Sequence, residues 1–252
     1  MKLNKFLTTT IILITSTFSM ATSFAEPVNW GYIQLGRTPT VLPLSWGEYF
    51  PACNGFNQSP IDIQNTVPLK KEAITFEYEP TPLNILNDNK TIEVEYQPGS
   101  RMFIGGMEYR LLKFQFHSPG EHLVAGYRYP MELQLLHANK NGSLAIVSVL
   151  IEEGEANPEF QKIISNAPIL GMFEVPDTFI DVKALLPSDV RTFYNYSGSL
   201  TTPPCTEGVR WFVMGNTIQF SAEQIAIFQK IMPANARSAQ DINLRSIYRD
   251  VN

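Results

Sequence analysis

The chain has 252 residues, 44% of them hydrophobic and 17% charged, and a formal net charge of −5. A mildly acidic chain without a long basic run is excluded as a general binder of nucleic acid or anionic membrane. Its length and apolar content suffice for one large core, and the absence of low-complexity tracts excludes a disordered protein.

Residues 1–25 read as a secretory signal peptide. Lys2 and Lys5 precede an apolar and hydroxyl-rich run from Phe6 to Met20, and Ser23-Phe24-Ala25 supplies small residues for cleavage after Ala25. The run is too short and too rich in Thr and Ser for a transmembrane anchor. Residues 26–252 are then expected to form one exported domain, periplasmic or extracellular. The leader takes two lysines and no acid with it, so the mature chain is more acidic still. Cys53 and Cys205 both remain. An even number of cysteines in an exported chain points to one disulfide, with two buried thiols as the alternative.

Along the chain, most segments read as short strands between turns. Ile92 to Tyr96 alternates cleanly. Tyr109 to His117 is expected to place Leu112, Phe114 and Phe116 on one face and Leu111, Lys113, Gln115 and His117 on the other. Met131 to His137 places Glu132, Gln134 and Leu136 opposite Met131, Leu133, Leu135 and His137. Leu144 to Ile151 is apolar apart from Ser148, as in a strand buried on both faces. Pro98-Gly99, Gly105-Gly106, Pro119-Gly120 and Asn141-Gly142 are turn signals. Helices are expected over Asn157–Ala167 and Ser221–Met232. The second opens with a capping box, Ser221-Ala-Glu-Gln224, and is ended by Pro233.

Six blocks in order resemble one family. They are Trp30-Gly31-Tyr32, Asn57-Gln-Ser-Pro-Ile-Asp-Ile63, Leu86 to Lys90, Lys113 to His137, Tyr196 to Pro204 with Glu207 to Trp211, and Asn235 to Gln240. Together they resemble the α-class carbonic anhydrases, over nearly the whole mature chain. The turn Ser118-Pro-Gly-Glu121 is closest to short bacterial forms. The resemblance implies a mainly β fold: a large central, mostly antiparallel twisted sheet with a few short peripheral helices. It also implies a Cys53–Cys205 bridge.

The family's chemistry needs a zinc held by three imidazoles with an open fourth position, where bound water becomes acidic enough to attack CO2. The first two imidazoles come from an H-x-H pair, and the third follows a Glu by two residues on the next strand. In this sequence those ligand positions are Gln115, His117 and Gln134. Only His117 keeps a ring nitrogen. Amide oxygens suit zinc poorly, so retention of the metal is the expected failure. Glu132 matches the acid behind the third ligand, and here it is expected to accept from the Gln134 amide instead. Gln115, His117, Glu132 and Gln134 would then form a hydrogen-bonded cluster without metal.

Other parts of the family site are carried over by position. Thr201 and Glu121 match its Thr–Glu gate, and Thr202 a neighbour that contacts anions. Leu136, Ile146, Leu200, Val209 and Trp211 match the CO2 pocket, with Leu136 and Ile146 bulkier than is common. Lys90 stands where a proton-shuttling His is usual, and an ordinary Lys titrates far too high for that task. Lys113 and Glu93 replace amides of the cavity wall. His122 and His137 are read as structural. Two functions follow. One is a non-catalytic binding module for an unidentified protein or glycan, with no zinc expected at full occupancy. The alternative is CO2 hydration to bicarbonate with a weakly held or non-standard zinc.

Overall fold

The computed structural model describes residues 28–34, 36–69 and 73–250. The signal peptide expected over 1–25 lies outside the described residues. Eight strands carry the architecture: β1 (Thr81–Asn87), β2 (Ile92–Glu95), β3 (Met107–His117), β4 (Met131–Ala138), β5 (Leu144–Glu153), β6 (Gly171–Ile180), β7 (Phe193–Ser199) and β8 (Glu207–Met214). They lie side by side in the order β6-β1-β2-β3-β4-β5-β8-β7, and Tyr248–Asp250 and Val67–Leu69 extend the sheet beyond β7. Most pairings are antiparallel; β5 runs parallel to β8. The mainly β expectation is met, as is the sparsity of helix.

Alternation explains the layering. Phe114 and Phe116 of β3 and Met131, Leu133 and Leu135 of β4 face the main core. Two helices cover that face. Helix α1 (Pro158–Asn166) is capped by the Asn157 side chain and buries Phe160, Ile163 and Ile164. Helix α2 (Ala222–Ile231) carries the expected capping box and buries Ile225 and Phe228. Phe160 stacks on Phe220 with centroids 3.9 Å apart, which joins helix to sheet.

One expected alternation is corrected. Leu112 does not share a face with Phe114 and Phe116. Leu136 of β4 pairs with Lys113, but His137 pairs with Leu111, so the ladder skips one residue at Leu112. This β-bulge turns Leu112 to solvent and leaves Leu111 in the core. The flanking apolar residues gave no local sign of the extra residue. Beyond the bulge the pattern resumes, so Lys113, Gln115 and His117 share the opposite face as expected.

The disulfide is formed: Cys53 and Cys205 are joined across 152 residues. It sits in a small satellite core with Trp46, flanked by Trp30 and Tyr32.

Candidate active site

The register of β3 on β4 builds the site. His117 lies opposite Glu132, and Gln115 lies opposite Gln134. On the other side Gln115 faces Glu93 of β2. Side chains two apart on neighbouring strands therefore converge on one patch of the sheet.

Hydrogen bonds fix the state of each group there. His117 Nδ1 donates to the carbonyl of Asn235 at 2.7 Å. The ring's Nε2 is then a lone-pair acceptor, and the Gln115 amide donates to it at 3.0 Å. The same amide lies 3.4 Å from Gln134 Oε1. Gln134 turns its own NH2 between two carboxylates, 2.8 Å from Glu121 Oε2 and 3.0 Å from Glu132 Oε1. Reversing that amide would set oxygen against oxygen, so the two anions dictate its orientation. The expected cluster of Gln115, His117, Glu132 and Gln134 is thus assembled with every donor facing an acceptor.

Glu132 is fully buried and heavily solvated by protein. It accepts from the backbone of Glu121 and His122, from His122 Nδ1 and from Ser148 Oγ, each at 2.8 Å. Burial works against its charge, but the His122 ring and backbone outweigh it and hold the carboxyl at about 2. His122 in turn contacts Tyr196 Oη at 2.7 Å, a structural role as expected. His137 lies on the far face of β4, with Nδ1 on the Leu135 carbonyl and Nε2 on Tyr78 Oη. Burial lowers its pKa to about 3, so the ring is neutral.

Glu121 is occupied differently from a Thr–Glu gate. Its Oε2 takes the Gln134 amide and its Oε1 accepts from the backbone of Arg237 at 2.8 Å. Among the described residues no hydrogen bond joins it to Thr201. Thr201 and Thr202 instead line a cavity of about 90 Å³ with Gln115 and Gln134. Its apolar wall is Leu136, Ile146 and Leu200, and Lys113 stands beside them with its ammonium 2.5 Å from Glu93. Val209 and Trp211, expected in that wall, are fully buried behind it in the same apolar cluster as Ile146. Lys90 stands apart, its ammonium 4.8 Å from the centre of the Trp30 ring and 3.8 Å from Asp88.

Three contributors were missed as site residues. Asn235 and Arg237 reach the site from more than a hundred residues downstream, through backbone groups on His117 and Glu121. Tyr32 lies edge-on to His117 with ring centroids 6.5 Å apart, and its buried hydroxyl has no hydrogen-bond partner among the described residues. Burial, with Glu121 and Asp88 nearby, raises its pKa well above the usual range. All three fall in quoted sequence blocks, but nothing local marks a backbone carbonyl as a ring's partner.

The donor set does not fit zinc in the family's manner. One imidazole is present, and its available lone pair holds an amide N–H. The other two positions turn NH2 groups toward acceptors, and an amide nitrogen is not a metal ligand. Among the described residues no group of three or more His, Cys, Asp or Glu is disposed to hold a metal ion.

Comparison with known proteins matches this architecture to one family. The model for eukaryotic-type carbonic anhydrase matches residues 42–252. A carbonic anhydrase of Nostoc is 40% identical over 249 residues, 94% of this chain and 92% of that protein. A hyperthermostable carbonic anhydrase from a hydrothermal vent chimney superposes with a TM-score of 0.82 at 39% identity, covering 88% of this chain and all of the other. Dioscorin, solved with ascorbate, superposes with a TM-score of 0.78 at 28% identity, covering 88% and 97%. The chain belongs to the α-class, or eukaryotic-type, carbonic anhydrase family.

Proposed function

We propose that this protein is an exported, one-domain member of the carbonic anhydrase family whose site has exchanged zinc for a hydrogen-bonded amide cluster. It acts as a binding module, for a protein or glycan, rather than as an efficient hydratase. The observation that carries this reading is the Gln115 amide seated on His117 Nε2 at 3.0 Å. That nitrogen is the one a metal would need. Two neutral amides in place of imidazoles remove most of the donor strength that retains zinc. Export rests on the composition of residues 1–25 and agrees with the Cys53–Cys205 disulfide. No described helix is long and apolar enough to cross a membrane. Dioscorin shares the fold and was solved with ascorbate, a precedent for a bound small molecule in this architecture.

A second reading has its own support. Relatives up to 40% identical are named carbonic anhydrases, and the apolar wall and Thr201 are kept beside the cluster. Under that reading, the two glutamines swing their oxygens toward a weakly held metal, and CO2 and bicarbonate are the ligands.

Elemental analysis of the purified protein, before and after dialysis with zinc, separates the two. Far less than one zinc per chain is expected, with CO2 hydration at background. The Gln115→His, Gln134→His double variant is expected to take up one zinc per chain. One zinc in the unaltered protein, together with hydration above background, overturns the first reading and establishes the second.

A further inference from the structure

The two edges of the large sheet are built differently. At one edge Val67–Leu69 carries Pro68, which has no N–H to offer, and is followed in sequence by Lys70-Lys71. Proline and lysine are devices that keep an edge from pairing with another chain. At the other edge lies β6, which among the described residues pairs only with β1. Its first half and the residues leading into it read Ile169-Leu-Gly-Met-Phe-Glu174, a stretch with one charge that lies between Pro168 and Pro176.

That edge is apolar and exposed. Ile169 is 94% accessible and Leu170 62%, followed by Met172 at 53% and Phe173 at 46%, with Phe179 farther along. Fraying is not the cause, since the Asn87 side chain holds the carbonyls of both Pro168 and Ile169, at 2.9 and 3.0 Å. Ile169, Leu170, Met172 and Phe173 together expose on the order of 500 Å², within the size of the largest patch on a typical monomer and short of the roughly 800 Å² per partner of a standard interface.

The arrangement also selects the occupant. Met172 and Phe173 point to opposite faces of the sheet, yet both are exposed. A ligand lying on one face would leave the other wet; a strand added to the edge covers both. We propose that β6 pairs antiparallel with β6 of a second copy, about a two-fold axis near Met172, so that the sheet continues across a dimer. In that register Glu174 falls opposite the bend before β6, where Leu170 precedes Gly171 at φ +88°. The two Glu174 carboxylates are then roughly 14 Å apart, beyond the screening length of ~10 Å or less at ordinary salt. Pairing of like segments by a two-fold is also the commonest way a chain associates with itself. Growth past the dimer is blocked on the same strand, because its register breaks between Glu174 and Phe179 around Pro176 and Asp177, the latter at φ +51°.

Sedimentation velocity of the disulfide-bonded protein from about 1 to 100 μM tests this. A reversible dimer is expected. Ile169→Lys and Phe173→Lys should each weaken association at least about tenfold with unchanged near-ultraviolet circular dichroism, as loss of a central apolar anchor does. Phe56→Lys, at another exposed aromatic, should leave it intact. Hydrogen exchange at Met172 to Glu174 should slow as concentration rises. A monomer throughout the range overturns the proposal. So does a dimer that ignores both lysine variants, or one that Phe56→Lys dissolves.

Discussion

Replacing Gln134 by Leu tests whether the amide cluster is a structural element in its own right. The change keeps the side chain's bulk but deletes the NH2 shared by Glu121 and Glu132. The two carboxylates do not suffer equally. Glu132 keeps four other donors, whereas Glu121 Oε2 loses the amide and Oε1 keeps the backbone of Arg237 at 2.8 Å, with His117 Nδ1 3.5 Å away. The cost therefore falls on a buried anion left half-paired. Hydrogen bonds to charged groups contribute about 1.5–3 kcal/mol, and the exposed desolvation penalty adds to this, so the expected loss is about 2–4 kcal/mol. Urea unfolding at pH 7, followed by tryptophan fluorescence, gives the number from the midpoint at constant slope. Adding Glu121→Gln to Gln134→Leu should return about 1 kcal/mol or more, because the unpaired charge is gone. A loss below about 0.5 kcal/mol, or no recovery in the double variant, would refute the reasoning and free Gln134 to turn toward a metal.

Acid should act first through His137. Its folded pKa of about 3 lies below the ordinary value of 6.5, so the unfolded chain takes the proton first. Its contribution is complete above about pH 6.5 and is lost as pH falls toward 3, on the order of 5 kcal/mol in all. Glu132 acts in a lower window, between about 4.5 and 2, with the same sign. Stability measured against pH should therefore slope between pH 6 and 4, and His137→Gln should flatten that slope. The β3 bulge makes a local prediction: Leu111→Ala should cost about 2–5 kcal/mol and Leu112→Ala less than about 0.5, by thermal or urea unfolding. Equal costs would put the bulge elsewhere. Reducing the disulfide, or Cys53→Ser with Cys205→Ser, should cost about 5 kcal/mol by the chain-entropy relation for a loop of 152 residues, seen as a lower unfolding midpoint.

The strands were legible because a sheet with one buried face writes a period of two into its sequence. Met131 to His137 and the apolar run from Leu144 needed no tertiary information, and neither did the capping box at Ser221. Alternation also fixed which side chains share the face of Gln115 and Gln134, and the family resemblance marked those two positions as ligand positions. The chemical state of the site was not legible. Which nitrogen of His117 is free depends on a carbonyl 118 residues away, and which way Gln134 turns depends on carboxylates of two different segments. The bulge at Leu112 was hidden because Leu111 and Leu112 are equally apolar, and only the pairing partner decides which is buried. By itself the sequence determined the strand pattern, the helix cap and the cysteine pair, because these depend on side-chain identity and local periodicity, while the family resemblance supplied the fold and the positions that Gln115 and Gln134 occupy. Only the tertiary structure decided that the amides hold His117 and Glu121, and that one sheet edge lies bare, because hydrogen-bond orientation and exposure belong to contacts between segments far apart in the chain.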